Sequence, residues 1–267
     1  MNTNYIIGLL SVIISLTSCE SSHKKGHYES IFNGNNLEGW YLKVKNGDDA
    51  LAKKVFAVED RTIHIFNHQF SDSLDLDNKK YDTYGMMFTD KTYSKFILKF
   101  EYKWGSKIAN NFSQFQYDAG CYYHVIDDKV WPKGLEYQIR YNHLKEANHT
   151  GDFWATQPLA WYTSKDSSRF LSPKDGGVRI PKINEALACK TNAFNALNDQ
   201  WNQCEIVVME DKYAVHKLNG KIVNIATHLQ IKEGKIGFQS ETAEIYYRDI
   251  KIKTFDHIIP LKKILDE

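Results

Sequence analysis

Lys95-Phe96-Ile97-Leu98-Lys99-Phe100-Glu101-Tyr102-Lys103-Trp104 is the stretch on which the fold turns. Phe96, Leu98, Phe100, Tyr102 and Trp104 occupy every second position, and Lys95, Lys99, Glu101 and Lys103 fall between them. A period of two sends the apolar set to one face of a β-strand and the charges to the other. A strand over 93–104 therefore has one side in a core and one in water.

The same alternation recurs outward from this strand in both directions. It predicts strands over 120–126 and 135–141, then over 203–209, 213–218 and 221–226, and finally over 235–240 and 243–254. Asn219-Gly220 separates two of them and is the strongest short-range signal for a tight hairpin. The stretch 175–197 is the least regular, reading as a long loop or as a short helix around 184–189. No Pro/Gly/Ser-rich linker and no internal repeat interrupts the chain from Tyr28 onward. The simplest organisation is one domain over 28–256 followed by a C-terminal tail over 257–267. Short strands with tight turns and no sustained helical period argue for an all-β sandwich or jelly roll. Composition agrees, because 16 Tyr, 14 Phe and 6 Trp suit a pleated, half-buried surface. With 34 basic and 33 acidic residues spread along 267 positions, no basic stripe marks a nucleic-acid partner.

The N-terminus reads as a processing signal. Residues 5–16, YIIGLLSVIISL, form an apolar run too short to span a bilayer but right for a signal-peptide core. Leu16-Thr17-Ser18-Cys19 follows and resembles the lipobox of bacterial lipoproteins, although the preceding MNTN carries no Lys or Arg. This predicts removal of 1–18, lipidation of Cys19 and a polar tether over 19–27. The domain would then be held to a bacterial membrane, facing the periplasm or the cell surface. Three thiols remain, Cys121, Cys189 and Cys204, which implies no disulfide framework.

Chemistry concentrates on the strand over 135–141. Leu135, Tyr137, Ile139 and Tyr141 form its apolar set, so Glu136, Gln138 and Arg140 share the other face. Alternate residues lie roughly 7 Å apart, about the span of a pyranose ring. An acid, an amide and a guanidinium at that spacing suit sugar hydroxyls or a carbonyl, and an ordinary solvated face explains them equally well. On the preceding strand Tyr122 and His124 share a face, which makes His124 a candidate base. Asp152, after Gly151, fits a turn as well as a site. His64 and His68 are four apart on a strand-like segment and do not form a metal pair. Nucleophile-elbow, phosphate-loop and H-E-x-x-H motifs are absent from the sequence.

With these segments in place, the chain resembles the 3-keto-disaccharide hydrolase domain family of concanavalin A-like sandwiches. The phrase Phe32-Asn33-Gly34-Asn35-Asn36-Leu37-Glu38-Gly39-Trp40 matches the family's opening F-N-G-x-x-L-x-G-W. The strand after it, Gly134-Leu135-Glu136-Tyr137-Gln138-Ile139, Gly151-Asp152-Phe153-Trp154, Gly237-Phe238-Gln239-Ser240-Glu241 and Arg248-Asp249-Ile250-Lys251-Ile252 follow in the family's order. Where many members carry N-S-G, this chain has Asp118-Ala119-Gly120. The resemblance implies action on glycosides oxidised at C3, whose acidic C2 proton allows elimination across C1–C2 and then addition of water. It implies His124 or Glu136 as base, and Gln138, Arg140, Trp154, Gln239 and Glu241 as substrate-binding residues. Asp118 and Asp152 are the candidate ligands for a divalent metal ion that would stabilise the enolate. Two rivals stand beside this reading. A conventional glycosidase needs a second carboxylate, which the stretch 136–141 lacks. A non-catalytic carbohydrate-binding lipoprotein needs only aromatic stacking and a few polar groups.

Overall fold

A computed structural model describes residues 26–71, 82–109, 115–190 and 194–266. The signal segment over 1–18, Cys19 and most of the tether lie outside the described residues. In chain order the strands are β1 (Glu29–Ser30), β2 (Trp40–Val44), β3 (Phe56–Glu59), β4 (Thr62–Ile65), β5 (Gly85–Thr89), β6 (Lys95–Ile108), β7 (Tyr117–Val125) and β8 (Leu135–Asn142). They continue as β9 (Ala147–Asn148), β10 (Phe153–Thr163), β11 (Val178–Ala186), β12 (Asn202–Met209), β13 (Tyr213–Leu218), β14 (Lys221–Thr227), β15 (Lys235–Ser240) and β16 (Ala243–Thr254). Two short helices, α1 (Asp49–Val55) and α2 (Leu261–Asp266), complete the described elements.

The strands are joined antiparallel in the order β2-β5-β15-β7-β8-β10-β14-β13-β12-β6-β16-β4-β3. This ribbon folds over at β10. Phe153, Trp154 and Ala155 pair with Tyr137, Glu136 and Leu135, whereas Ala160 and Trp161 pair with Thr227 and Ala226. A register shift between Ala155 and Leu159 turns the corner between the two halves. The front leaf, β2-β5-β15-β7-β8-β10, then lies over the back leaf, β14-β13-β12-β6-β16-β4-β3. Aromatic side chains bridge the leaves: Phe100 of β6 meets Phe238 of β15 at 5.1 Å and Tyr137 of β8 at 5.9 Å. The result is the all-β sandwich that the period-two pattern predicts, of the concanavalin A-like kind that the resemblance implies.

On β6 the alternation is fulfilled residue by residue, with Phe96, Leu98, Phe100, Tyr102 and Trp104 buried in the core. Asn219 and Gly220 both take positive φ, at 47° and 79°, as the two-residue turn between β13 and β14 requires. One segment differs from expectation. The stretch read as a long loop or a helix around 184–189 instead supplies β11, which runs antiparallel along β10. Its residues are mostly exposed on both faces, so no apolar period marks it, and Pro181 sits where an outer strand tolerates a missing donor. The described part of the tail, 257–266, packs on the domain. Ile264 of α2 is 2% exposed, Tyr213 Oη donates to Ile259 O at 2.6 Å, and Lys174 Nζ reaches Asp266 Oδ1 at 2.6 Å.

Candidate active site

Leu135, Tyr137 and Ile139 point into the core, so Glu136, Gln138 and Arg140 face away from it on the outer side of the front leaf. The cross-strand register lays out the neighbourhood of these residues. Asp118, Gly120 and Tyr122 of β7 oppose Arg140, Gln138 and Glu136 in turn. Trp154 of β10 lies on the other flank of Glu136, and Glu185 of β11 lies beyond Trp154. On the opposite side Gly237 pairs with Tyr122, and Phe238 with Cys121, which places Gln239 beside Gly120. Directly opposed side chains share a face. The front leaf therefore carries one patch built from five strands, flanked by a small apolar cluster of Met86, Phe88, Tyr122 and Val125.

Although it faces outward, the patch is enclosed. Glu136 is 3% exposed, Gln138 6% and Gln239 2%, while Trp154 stays open at 39%. Gly120 explains how Glu136 fits, because a Cβ there would come within 2.0 Å of Glu136 Oε1. The carboxyl group thus lies across the strand in the space a side chain would occupy. Gln138 Nε2 donates to Asp118 Oδ1 at 2.5 Å. Arg140 Nη2 donates to Glu185 Oε1 and stands 3.6 Å from Asp152 Oδ2, while the ring of Phe115 covers its guanidinium at 4.2 Å. Asp152 is held in turn, Oδ1 by Ala188 N–H at 2.7 Å and Oδ2 by His149 Nδ1 at 3.0 Å.

Crowding of acids away from water governs the electrostatics. Burial pushes Glu136 up to about 8, the charge of Asp118 adds to this, and a hydrogen bond from Tyr122 and the charge of Arg140 oppose it. Burial likewise raises Asp118 to about 7, against the pull of Arg140 and Gln138. Glu241 is driven well above the usual carboxylate range by burial and by the charges of Asp118 and Glu136. The face thus holds protons at neutral pH on carboxyl groups that would be bare in water.

Several sequence expectations are placed differently. His124 does not join the patch. Between Gly237↔Tyr122 and Lys235↔Val125, β7 carries one more residue than β15, and His124 has φ of 51°. This bulge turns its ring towards the end of the sandwich, where Nδ1 lies 2.9 Å from Ile231 O and Nε2 3.2 Å from Ser94 O. Burial lowers its pKa to about 4, so the ring is neutral at pH 7. Asp118 and Asp152 do not form a ligand pair either, since both Asp152 oxygens are engaged and Arg140 draws charge from both acids. Among the described residues no three His, Cys, Asp or Glu side chains are arranged to hold a metal ion. The site therefore does not fit the cation expected there. Glu185, His149 and Phe115 were missed in sequence: the first sits in the stretch without periodicity, and the others act only through Arg140 and Asp152.

The fold and the patch together define an antiparallel β-sandwich with aromatic, amide and carboxyl groups gathered on the outer face of one leaf. The chain belongs to the 3-keto-alpha-glucoside-1,2-lyase-like domain family, whose sequence profile matches residues 27–253. Its fold is shared with the crystal structure of a putative glycosyl hydrolase from Parabacteroides distasonis, at 21% identity and a TM-score of 0.52, covering 86% of this chain and 94% of that one. A second putative glycosyl hydrolase from the same organism matches at 16% identity and a TM-score of 0.50, covering 86% and 100%. No curated protein matches the chain.

Proposed function

We propose that this domain cleaves 3-keto-glycosides by elimination across C1–C2 followed by hydration. One observation carries the reading: a buried carboxyl group, Glu136, lies over Gly120 with its proton held up to about pH 8, next to an open indole. Trp154 offers a face on which a sugar ring can stack. The ketone at C3 acidifies the C2 proton, which Glu136 removes in its ionised form, a minority at pH 7 that grows as pH rises towards 8. A base matched to near-neutral pH combines adequate strength with adequate ionisation. As the C1–O bond breaks, Asp118, protonated in part near pH 7, delivers a proton to the departing oxygen. Water then adds across the resulting double bond, its oxygen to C1 and a proton to C2. The Arg140 Nε–H, which has no partner among the described residues, supports negative charge on the enolate oxygen.

A conventional glycosidase needs a second acid, and Asp118 on the neighbouring strand β7 is the candidate for it. Incubation with 3-keto-glycosides in deuterated water separates the two reactions by mass spectrometry. Elimination and hydration place one deuterium at C2 and leave unoxidised aryl glycosides intact. Release of sugar from an unoxidised aryl glycoside without label at C2 overturns the proposal. Binding of glycosides with no product from either panel favours the binding-module reading. A lipid anchor at Cys19 would place this chemistry at the surface of a bacterial membrane. Palmitate labelling of the wild-type chain, lost in Cys19→Ala, tests it.

A further inference from the structure

The patch is rich in carboxyl groups and poor in cations, which bears on the class of sugar it takes. Five acids, Asp118, Glu136, Asp152, Glu185 and Glu241, gather around the Arg140 guanidinium. That cation is spent. Its Nη2 is given to Glu185 and lies close to Asp152, Asp118 adds its charge, and Phe115 closes the remaining face. A ligand carboxylate approaching this guanidinium would have to compete with the Glu185 ion pair on Nη2.

Gln239 points independently to a donor-bearing ligand. It is 2% exposed, it sits beside Gly120 on the face that carries Glu136, and its Oε1 accepts from no donor among the described residues. A buried amide oxygen left without a donor is costly, and a ligand O–H or N–H placed there relieves it. A ligand oxygen bearing negative charge would instead meet an acceptor beside acids in a weakly screened site.

Accepting the site as a sugar site, we propose that it selects neutral and amine-bearing glycosides and rejects uronates and sugar phosphates. Gln239 Oε1 takes a ligand hydroxyl or ammonium hydrogen, and the acids around Arg140 set the charge preference. An ammonium group on the sugar stands in for a proton that these carboxyl groups otherwise hold, so its binding releases protons.

Isothermal titration of the whole protein with methyl β-glucoside, its 2-amino-2-deoxy analogue and methyl β-glucuronide tests this, since none of the three carries the ketone that the proposed elimination needs. The glucuronide is expected to bind at least tenfold more weakly than the glucoside at low salt, with the gap narrowing as salt rises. The amino sugar is expected to bind at least as tightly as the glucoside, with an enthalpy that varies with the buffer's heat of ionisation. In Glu185→Gln, which frees Arg140 and removes one charge, the ratio of glucuronide to glucoside affinity should rise severalfold. Glucuronide binding equal to or tighter than glucoside overturns the selectivity and leaves the elimination chemistry to the 3-keto panel. Failure of all three to bind overturns the selectivity and the sugar site together.

Discussion

At Glu136 a carboxyl group has been taken out of water beside other acids, and its raised pKa is a statement about stability as well as chemistry. The folded state holds a proton that the unfolded chain releases near 4.5, so between about pH 4.5 and 8 this residue costs more stability as pH rises. Glu136→Gln keeps the shape and removes the ionisation. Thermal melts should therefore show the variant more stable than wild type above pH 8, by about 1–3 kcal/mol, and nearly equal at pH 4.5. In the same variant, turnover of a 3-keto-glycoside should fall about 10²–10⁴-fold. His124 makes the opposite case. His124→Asn should lower stability by about 1–3 kcal/mol through lost buried hydrogen bonds, while turnover stays within severalfold of wild type. Period-two reading put His124 on the face of Tyr122, and it failed for a physical reason: a single extra residue in β7 reverses the alternation, and no residue type announces a bulge. It succeeded for Glu136, Gln138 and Arg140 because β8 keeps its register against β7 throughout.

Elements set the site through what passes between strands. Gly120 opposes Gln138 on the central pair of the front leaf, and its missing side chain makes room for a carboxyl group from β8. Gly120→Ala should displace that carboxyl group and reduce turnover by at least tenfold, with a smaller effect on the melting temperature than on kcat. On the back leaf an acid is tuned the other way. Glu244 of β16 accepts from Ser106 N–H at 2.8 Å and Lys107 N–H at 3.1 Å, and lies 2.7 Å from His64 Nε2 of β4. Burial alone would raise its pKa, but these partners bring it down to about 2. Its contribution is complete above about pH 4.5 and is lost as pH falls towards 2. Glu244→Gln should thus be destabilising at pH 6 and nearly neutral at pH 2, as acid-unfolding curves can show. The hairpins were legible because Asn219-Gly220 and the alternating runs carry their own geometry. β11 was not, since a strand exposed on both faces has no apolar side to give it a period. Helix α1 was passed over too, being only one capped turn-pair in length, with Asp48 accepting from Ala50 and Leu51 N–H.

As a whole molecule the protein is one ribbon of sheet bent back on itself at β10, closed at one end by the α2 segment. Sequence alone yields the class of fold and the order of most strands, but not which strands from distant parts of the chain become neighbours. The proximity of Glu241 to Asp118 and Glu136 is of that kind, because it depends on β15 lying beside β7. Removing 257–267 exposes the pocket filled by Ile264, which should cost about 1.5–3 kcal/mol and lower the melting midpoint by roughly 5 °C. The ribbon also has borders. Along one of them Pro181 and Lys182 stand on β11, opposite Ala160 and Leu159, with no further strand among the described residues paired to their other side. Proline has no amide hydrogen to offer a stranger, and a lysine is costly to sandwich between copies. Crowded together, as at high concentration in solution, molecules of this shape are thereby kept from zipping into fibres. Pro181→Val together with Lys182→Val should bring on thioflavin-positive aggregates that the parent chain does not form.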